Sequence, residues 1–133
     1  MELGLADKVV IVTGAASGIG AAIARALAAE GAALLLLTDR DDAGCRGLAV
    51  ALGVASFTAD LTDPDAPARI VAACSARFGR VDGLVNAAGL TARGSFVTGT
   101  PAVWDALFAV NARAAFFLMQ AVIDFEQKVA GAI

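Results

Sequence analysis

A doubly wound α/β fold on a parallel sheet is what this sequence predicts, from three observations. Apolar runs of strand length alternate with helical stretches along the whole chain. The first run, Val9-Val10-Ile11-Val12, empties into a glycine-rich turn, Thr13-Gly14-Ala15-Ala16-Ser17-Gly18-Ile19-Gly20. The second, Leu34-Leu35-Leu36-Leu37, is unbroken, as suits a strand buried on both faces of a parallel sheet. Strands joined in this way through helices take right-handed crossovers, which is the Rossmann arrangement.

The elements follow in order. Lys8 to Thr13 is the first strand, and Gly18 to Glu30 is an alanine-rich helix with Gly31 placed as its stop. Ala32 to Thr38 forms the second strand, Asp42 to Leu52 a helix, and Ala55 to Ala59 a short third strand. Asp63-Pro64 reads as an N-cap with proline at the first helical position, opening a helix to Phe78 that Gly79 ends. Val81 to Asn86 is the fourth strand. Thr100-Pro101 repeats the cap-and-proline signal, and a helical pattern then runs to about Ala130, broken near Asn111. Gly131-Ala132-Ile133 begins a fifth strand, so four to five strands of the sheet are expected within one domain, residues 1–133, incomplete at its C-terminus.

Composition narrows the classes of function. The 133 residues are 59% hydrophobic and 17% charged, where about 45–50% and about 25% are typical. With a mean hydropathy of +0.75, the chain is more apolar than a small self-sufficient domain. Charged or glycine residues interrupt every apolar run before the ~18–20 residues a membrane helix needs, and no basic region precedes an apolar core at the N-terminus. A cytoplasmic protein that does not engage a membrane is therefore expected. A net charge of −3 argues against a general nucleic-acid binder. Cys45 and Cys74 lack metal-ligand spacing and the chain has no His, so no metal site is expected and the two thiols read as buried.

The glycine-rich turn carries the chemistry. A strand that ends in close-approaching backbone and opens into a helix presents unpaired N–H groups and the positive end of a helix dipole, a surface for phosphate. Turns between strand and helix also use glycine for steric reasons alone, so context must decide. The second strand ends in Thr38-Asp39, and an acid there can accept bonds from ribose hydroxyls and repel a 2′-phosphate. Asp39 followed by Arg40-Asp41-Asp42 could instead be a solvated turn, and Asp60 at the end of the third strand a loop or capping carboxylate. Strand C-termini in such sheets converge on one crevice where ligands bind, which favours the site reading. Asn86-Ala87-Ala88-Gly89 closes the fourth strand with small residues that let a ligand lie against the backbone.

Together these residues resemble the short-chain dehydrogenase/reductase family. Thr13-Gly14-x-x-x-Gly18-x-Gly20 is similar to its cofactor-binding pattern, with Ser17 and Ile19 inside it, and Asp60-Leu61 to its adenine-contacting pair. Asn86-Ala87-Ala88-Gly89 looks like its Asn-Asn-Ala-Gly motif with Ala at the second position, and Asn111 falls where the family keeps a structural and catalytic Asn. The resemblance implies a nicotinamide dinucleotide cofactor and a secondary alcohol or ketone as substrate, with Thr91, Arg93 and Phe96 near the substrate pocket. Asp39 and the non-basic Ser17 favour NAD(H) over NADP(H). Arg40 is the dissenting residue, since a basic side chain there could meet a 2′-phosphate.

One departure is large. The family transfers a proton through a Tyr-x-x-x-Lys pair together with a Ser on the fifth strand, while hydride moves to or from the nicotinamide. This chain has no Tyr, and its lysines are Lys8 and Lys128, so Asn111 alone of that group is present. The chain then reads as the cofactor-binding portion of an NAD-dependent oxidoreductase, with an inactive stand-alone NAD-binding module and a non-nucleotide interaction protein as alternatives. Phe108, Phe116, Phe117, Leu118, Met119, Val122 and Ile123 spread apolar side chains around the 108–129 helix, which the family uses at a subunit interface, so a homo-oligomer is expected.

Overall fold

The computed structural model describes residues 2–32 and 34–131, with the side chains of β2 described from Leu36 onward. Four strands, β1 (Val9–Thr13), β2 (Leu34–Asp39), β3 (Ala55–Thr58) and β4 (Gly83–Val85), form one parallel sheet in the order β3-β2-β1-β4. The register runs Val9 to Leu34 through Thr13 to Thr38 between β1 and β2. It places Leu36 beside Ala55 on one flank and Ile11 beside Leu84 on the other. Helices α1 (Gly18–Ala29), α2 (Asp42–Leu52) and α3 (Ala66–Phe78) connect the strands; α4 (Pro101–Phe108), a π-helical turn (Ala109–Arg113) and α5 (Ala114–Gly131) follow β4 as one continuous helix.

Alternation along β1 divides the core between the two faces of the sheet. Val9 and Ile11 meet Ile70, Val71 and Cys74 of α3 and Leu118 and Val122 of α5. Val10 and Val12 meet Ala21 and Ala24 of α1 and Cys45, Leu48 and Ala49 of α2 on the other side. Burial on both faces explains the unbroken apolar runs; Leu36 and Leu37 are 2% and 0% exposed. For Leu34 and Leu35 the same expectation lies outside the described side chains.

Several boundaries differ from the pattern, each for a local reason. Asp63-Pro64 belongs to a turn rather than to the helix: the Asp63 carboxylate accepts from Asp65 N–H and pairs with Arg69, and α3 starts at Ala66 with Pro67 in its first turn. β4 spans 83–85 instead of 81–86. At its start the Asp82 carboxylate takes the Val9 N–H in place of a backbone partner, and beyond its end Thr13 captures the amides of Ala87 and Ala88. The interruption at Asn111 is the π-helical turn. Gly131 is the last residue of α5, not the first of a fifth strand; Ala132 and Ile133 lie outside the described residues. Although Asp105, Arg113 and Asp124 break every apolar run, the helix Pro101–Gly131 as a whole is long and apolar enough to cross a membrane by length and composition. Its Leu118 and Val122 pack in the core with β1 and α3, and Ala114 is buried as well.

Candidate functional site

β1 delivers the chain to the turn at the carboxyl edge of the sheet. Gly14 has φ +63°, and a Cβ on it would stand 2.7 Å from Ala88 Cα and 2.8 Å from the Ala87 carbonyl oxygen, so this residue sets how closely the ends of β1 and β4 approach. Gly20 packs α1 back onto the turn, where a Cβ would meet Gly14 O at 2.1 Å. Gly18 is different. Its φ of +56° favours glycine, and a Cβ would meet nothing within 4 Å, because the residue borders an open cleft. Ser17 is the N-cap of α1 in extended conformation, with no cap bond from its side chain. The first N–H groups of α1 thus have no intrahelical partner and carry the positive end of its dipole.

The other strand ends complete the cleft. Thr13 is 1% exposed, and its Oγ1 accepts from the N–H groups of both Ala87 and Ala88 at 3.1 Å, tying the segment after β4 to the end of β1. Thr38, at 2% exposure, lines the cleft with its Oγ1 buried and without a hydrogen-bond partner among the described residues. Asp39 accepts from Ala16 N–H through Oδ2 and from Asp41 N–H through Oδ1, both at 3.0 Å. Asp60 accepts from Thr62 N–H at 2.9 Å and Thr62 Oγ1 at 2.8 Å. Those bonds, helped by the charge of Arg40, hold its carboxyl below the usual range.

The resulting cleft has a volume of about 420 Å³. It brings together Gly14, Ser17, Gly18, Ile19, Asp39, Arg40, Asp60, Leu61, Ala87, Ala88 and Gly89 from the sequence-derived set, and Thr91 besides. Gly20, Asn86 and Asn111 do not line it. Gly20 serves packing, and Asn86 is exposed. Asn111 acts on the loop beyond β4: its Nδ2 donates to Leu90 O at 2.7 Å and its Oδ1 accepts from Leu90 N–H at 2.8 Å. The π-helical turn is the local device that places it there, a use of such turns that recurs at functional sites. Arg93 and Phe96 are exposed and outside the cleft.

Thr38, Ala59, Leu90 and Val110 line the cleft although nothing in the pattern singled them out. The hydroxyl bridge of Thr13 was signalled by one polar side chain closing an otherwise aliphatic strand. Cys45 and Cys74 are free and buried, and burial pushes both thiols up to about 11, so they pack as apolar groups.

The cradle can be compared with known proteins. The family model described as short chain dehydrogenase matches residues 8–133. The chain belongs to the short-chain dehydrogenase family. A curated relative, short chain dehydrogenase andC of Emericella variicolor, is 44% identical over 130 residues, covering 90% of this chain and 47% of that protein. This family member thus spans about half the length of the curated relatives it matches. Among solved structures, a metagenomic short-chain oxidoreductase in complex with NADP superposes with a TM-score of 0.85 at 40% identity, over 91% of this chain and 57% of that one. A short chain dehydrogenase from Burkholderia cenocepacia in complex with NADP gives 0.86 at 34% identity, over 90% and 51%. A blue fluorescent protein from a metagenomic library in complex with NADPH gives 0.81 at 34%, over 90% and 51%.

These three complexes overturn the preference for NAD(H) drawn from Asp39 and Ser17. The physical reason is visible in the turn. Both Asp39 carboxylate oxygens are engaged by backbone N–H groups, and the side chain beside it in the cleft is the cationic Arg40.

Proposed function

We propose that this chain forms the dinucleotide-binding part of an oxidoreductase that moves a hydride between NADP(H) and a secondary alcohol or ketone. The observation that carries this reading is the cleft at the strand carboxyl ends, where an open helix N-terminus, a buried unpartnered hydroxyl and an exposed cation share one wall. The residues fit such a cofactor: Gly18 leaves room beside the α1 terminus, and Thr38 Oγ1 is a polar group awaiting a partner. In this reading Gly14, Ser17, Gly18 and Ile19 hold the pyrophosphate, and Asp60 and Leu61 flank the adenine. Arg40 meets the 2′-phosphate. Ala87, Ala88 and Gly89 keep side chains away from the nicotinamide end, with Asn86 at the strand exit and Asn111 fixing the loop that follows. When bound, the cofactor supplies or accepts the hydride.

Proton transfer needs a group that these residues do not include, since the chain has no Tyr and no His. Loss of general acid–base help removes about 10²–10⁴ in rate, so the 133 residues by themselves bind dinucleotide without measurable turnover. We place the protein in the cytoplasm, with the helix Pro101–Gly131 facing a second copy of the chain rather than lipid. Its exposed Phe108, Phe116, Phe117, Met119 and Ile123 support self-association.

Titration by NADPH fluorescence tests the cofactor. NADPH binds more tightly than NADH to the unmodified chain, Gly18→Trp abolishes binding of both, and Arg40→Ala narrows the difference. Equal affinities in the unmodified chain, or binding that survives Gly18→Trp, defeat the proposal.

A further inference from the structure

We infer that Arg113 is a positioning residue that fixes the adenine wall of the cleft from the π-helical turn. This rests on the dinucleotide reading above, in which Asp60 and Leu61 flank the adenine. Three side chains of the turn serve the cleft. Val110 lines it directly, Asn111 holds the backbone of Leu90 by two bonds, and Arg113 Nη2 donates to Thr62 O at 2.8 Å. Side chains two positions apart on a helix do not face each other, so Asn111 and Arg113 reach different loops, one after β4 and one after β3. Thr62 passes the restraint on. Its N–H and its Oγ1 both donate to Asp60 Oδ1, at 2.9 and 2.8 Å, so Arg113, Thr62 and Asp60 form one chain of bonds that ends on a carboxylate lining the cleft.

Packing alone does not hold this segment. Thr62 is exposed, and Leu61, which packs against the core that contains Ile70, also borders a second cavity of about 210 Å³ shared with Pro67, Arg113 and Phe117. A cationic donor on the Thr62 carbonyl is charge-assisted and stronger than a neutral one. It reaches the wall of the cleft where apolar contact is incomplete. Arg113 does not itself line the cleft, so its effect on a ligand is indirect. Its removal leaves every lining residue present while releasing the segment that carries two of them, Asp60 and Leu61.

Arg113→Ala and Arg113→Lys test this by amide hydrogen exchange in the ligand-free chain and by titration with NADPH and with adenosine 2′,5′-bisphosphate, which lacks the nicotinamide. Arg113→Ala is expected to speed exchange at Thr62 while Leu90, held by Asn111, exchanges as before. Both ligands weaken by the same factor, roughly two- to ten-fold, the worth of one hydrogen bond. Arg113→Lys keeps a cationic donor on a shorter stem and recovers part of both effects. Unchanged exchange at Thr62 or unchanged affinity in Arg113→Ala overturns the inference. So does faster exchange at Thr62 and Leu90 alike, which marks a general loosening, or a loss confined to NADPH, which places the effect away from the adenine. Affinity restored by Arg113→Lys while Thr62 still exchanges fast means that Arg113 acts through its charge, and overturns the inference as well. If the unmodified chain binds neither ligand, the proposed function falls, while the exchange measurement still decides whether Arg113 holds the segment after β3.

Discussion

The two flanks of β1 are finished to different degrees. On the β2 side the sheet continues to β3 and carries α1 and α2, with Val12 and Leu37 fully buried. On the other side β4 pairs, among the described residues, with β1 alone, all three of its residues are partly exposed, and α4 buries none of its eight. Trp104 and Phe108 stack on each other at 4.7 Å yet remain 64% and 52% exposed. Local signals suffice to build α4, since Thr100 Oγ1 accepts from Val103 N–H and Pro101 opens the first turn. What a helix packs against is a separate matter. The β2 flank takes its stability from burial within this chain, whereas the β4 flank presents apolar surface outward.

The sharpest way to break this contrast is to remove one large apolar side chain from each region. Leu37 on β2 is 0% exposed, and Leu37→Ala is expected to cost about 2–5 kcal/mol through lost transfer energy and the cavity left behind. Phe96 stands fully in solvent, and Phe96→Ala is expected to change stability by no more than about 0.5 kcal/mol. Urea unfolding of both variants measures the difference. Comparable losses would mean that the 91–100 segment is packed in solution and that the contrast is false.

The link between the flanks comes next. Thr13→Val keeps shape and removes the oxygen that accepts from Ala87 and Ala88. Leaving a donor unsatisfied costs about 1–3 kcal/mol where it is buried, and less at these part-buried amides. The expected readout is a destabilised chain in which amide exchange rises first at Ala87 and Ala88, while the amides of β2 stay protected. Uniform loss of protection would show that the β4 end is not a separable unit.

Much of this was legible in the sequence, and the division follows the same contrast. The order of strands and helices, the parallel sheet and most of the cleft residues follow from apolar runs and glycine spacing, because buried strands and a backbone turn leave direct marks in composition. Boundaries failed where a side chain replaced a backbone partner, as Asp82 does for Val9 and Asp63 does before α3. Periodicity does not record such substitutions. Cofactor preference failed for a related reason: the sequence did not show that Asp39 accepts from Ala16 and Asp41 N–H while the cationic Arg40 lines the same cleft. Gly20 was read as a cofactor residue, and the structure gives it a packing reason.

That packing reason sharpens the comparison within the turn. Alanine in place of glycine inside a helix is ordinarily favourable by about 1 kcal/mol. At Gly20 the added Cβ meets Gly14 O at 2.1 Å, so Gly20→Ala is expected instead to destabilise by about 1–3 kcal/mol through overpacking and to weaken NADPH binding with it. At Gly47, on α2 where a Cβ meets nothing within 4 Å, the same change is expected to be stabilising. A Gly20→Ala variant that melts like Gly47→Ala would remove the structural argument for that position.

The smallest effect belongs to the exposed pairing at the start of β4. Asp82 Oδ2 accepts from Val9 N–H at 2.8 Å, Asp82 N–H returns a bond to Val9 O at 2.8 Å, and Arg80 donates to Oδ1 at 2.7 Å. The Arg80 bond outweighs the opposing effect of desolvation and, with a lesser contribution from the Val9 N–H, holds the Asp82 carboxyl below the usual range. A carboxyl depressed in the folded state contributes stability that is fully present above its unfolded value of about 3.9 and is lost as pH falls through the lower folded value. Asp82→Asn is therefore expected to lower stability slightly at neutral pH and to make the acid limb of a pH–stability curve shallower. It does not flatten that limb, because Asp42 and Asp60 are depressed as well. An acid limb identical to that of the unmodified chain would show that the Asp82 carboxylate contributes nothing in solution, and that β4 is held to β1 by its three ladder residues, the Asp82–Val9 backbone bond and Thr13.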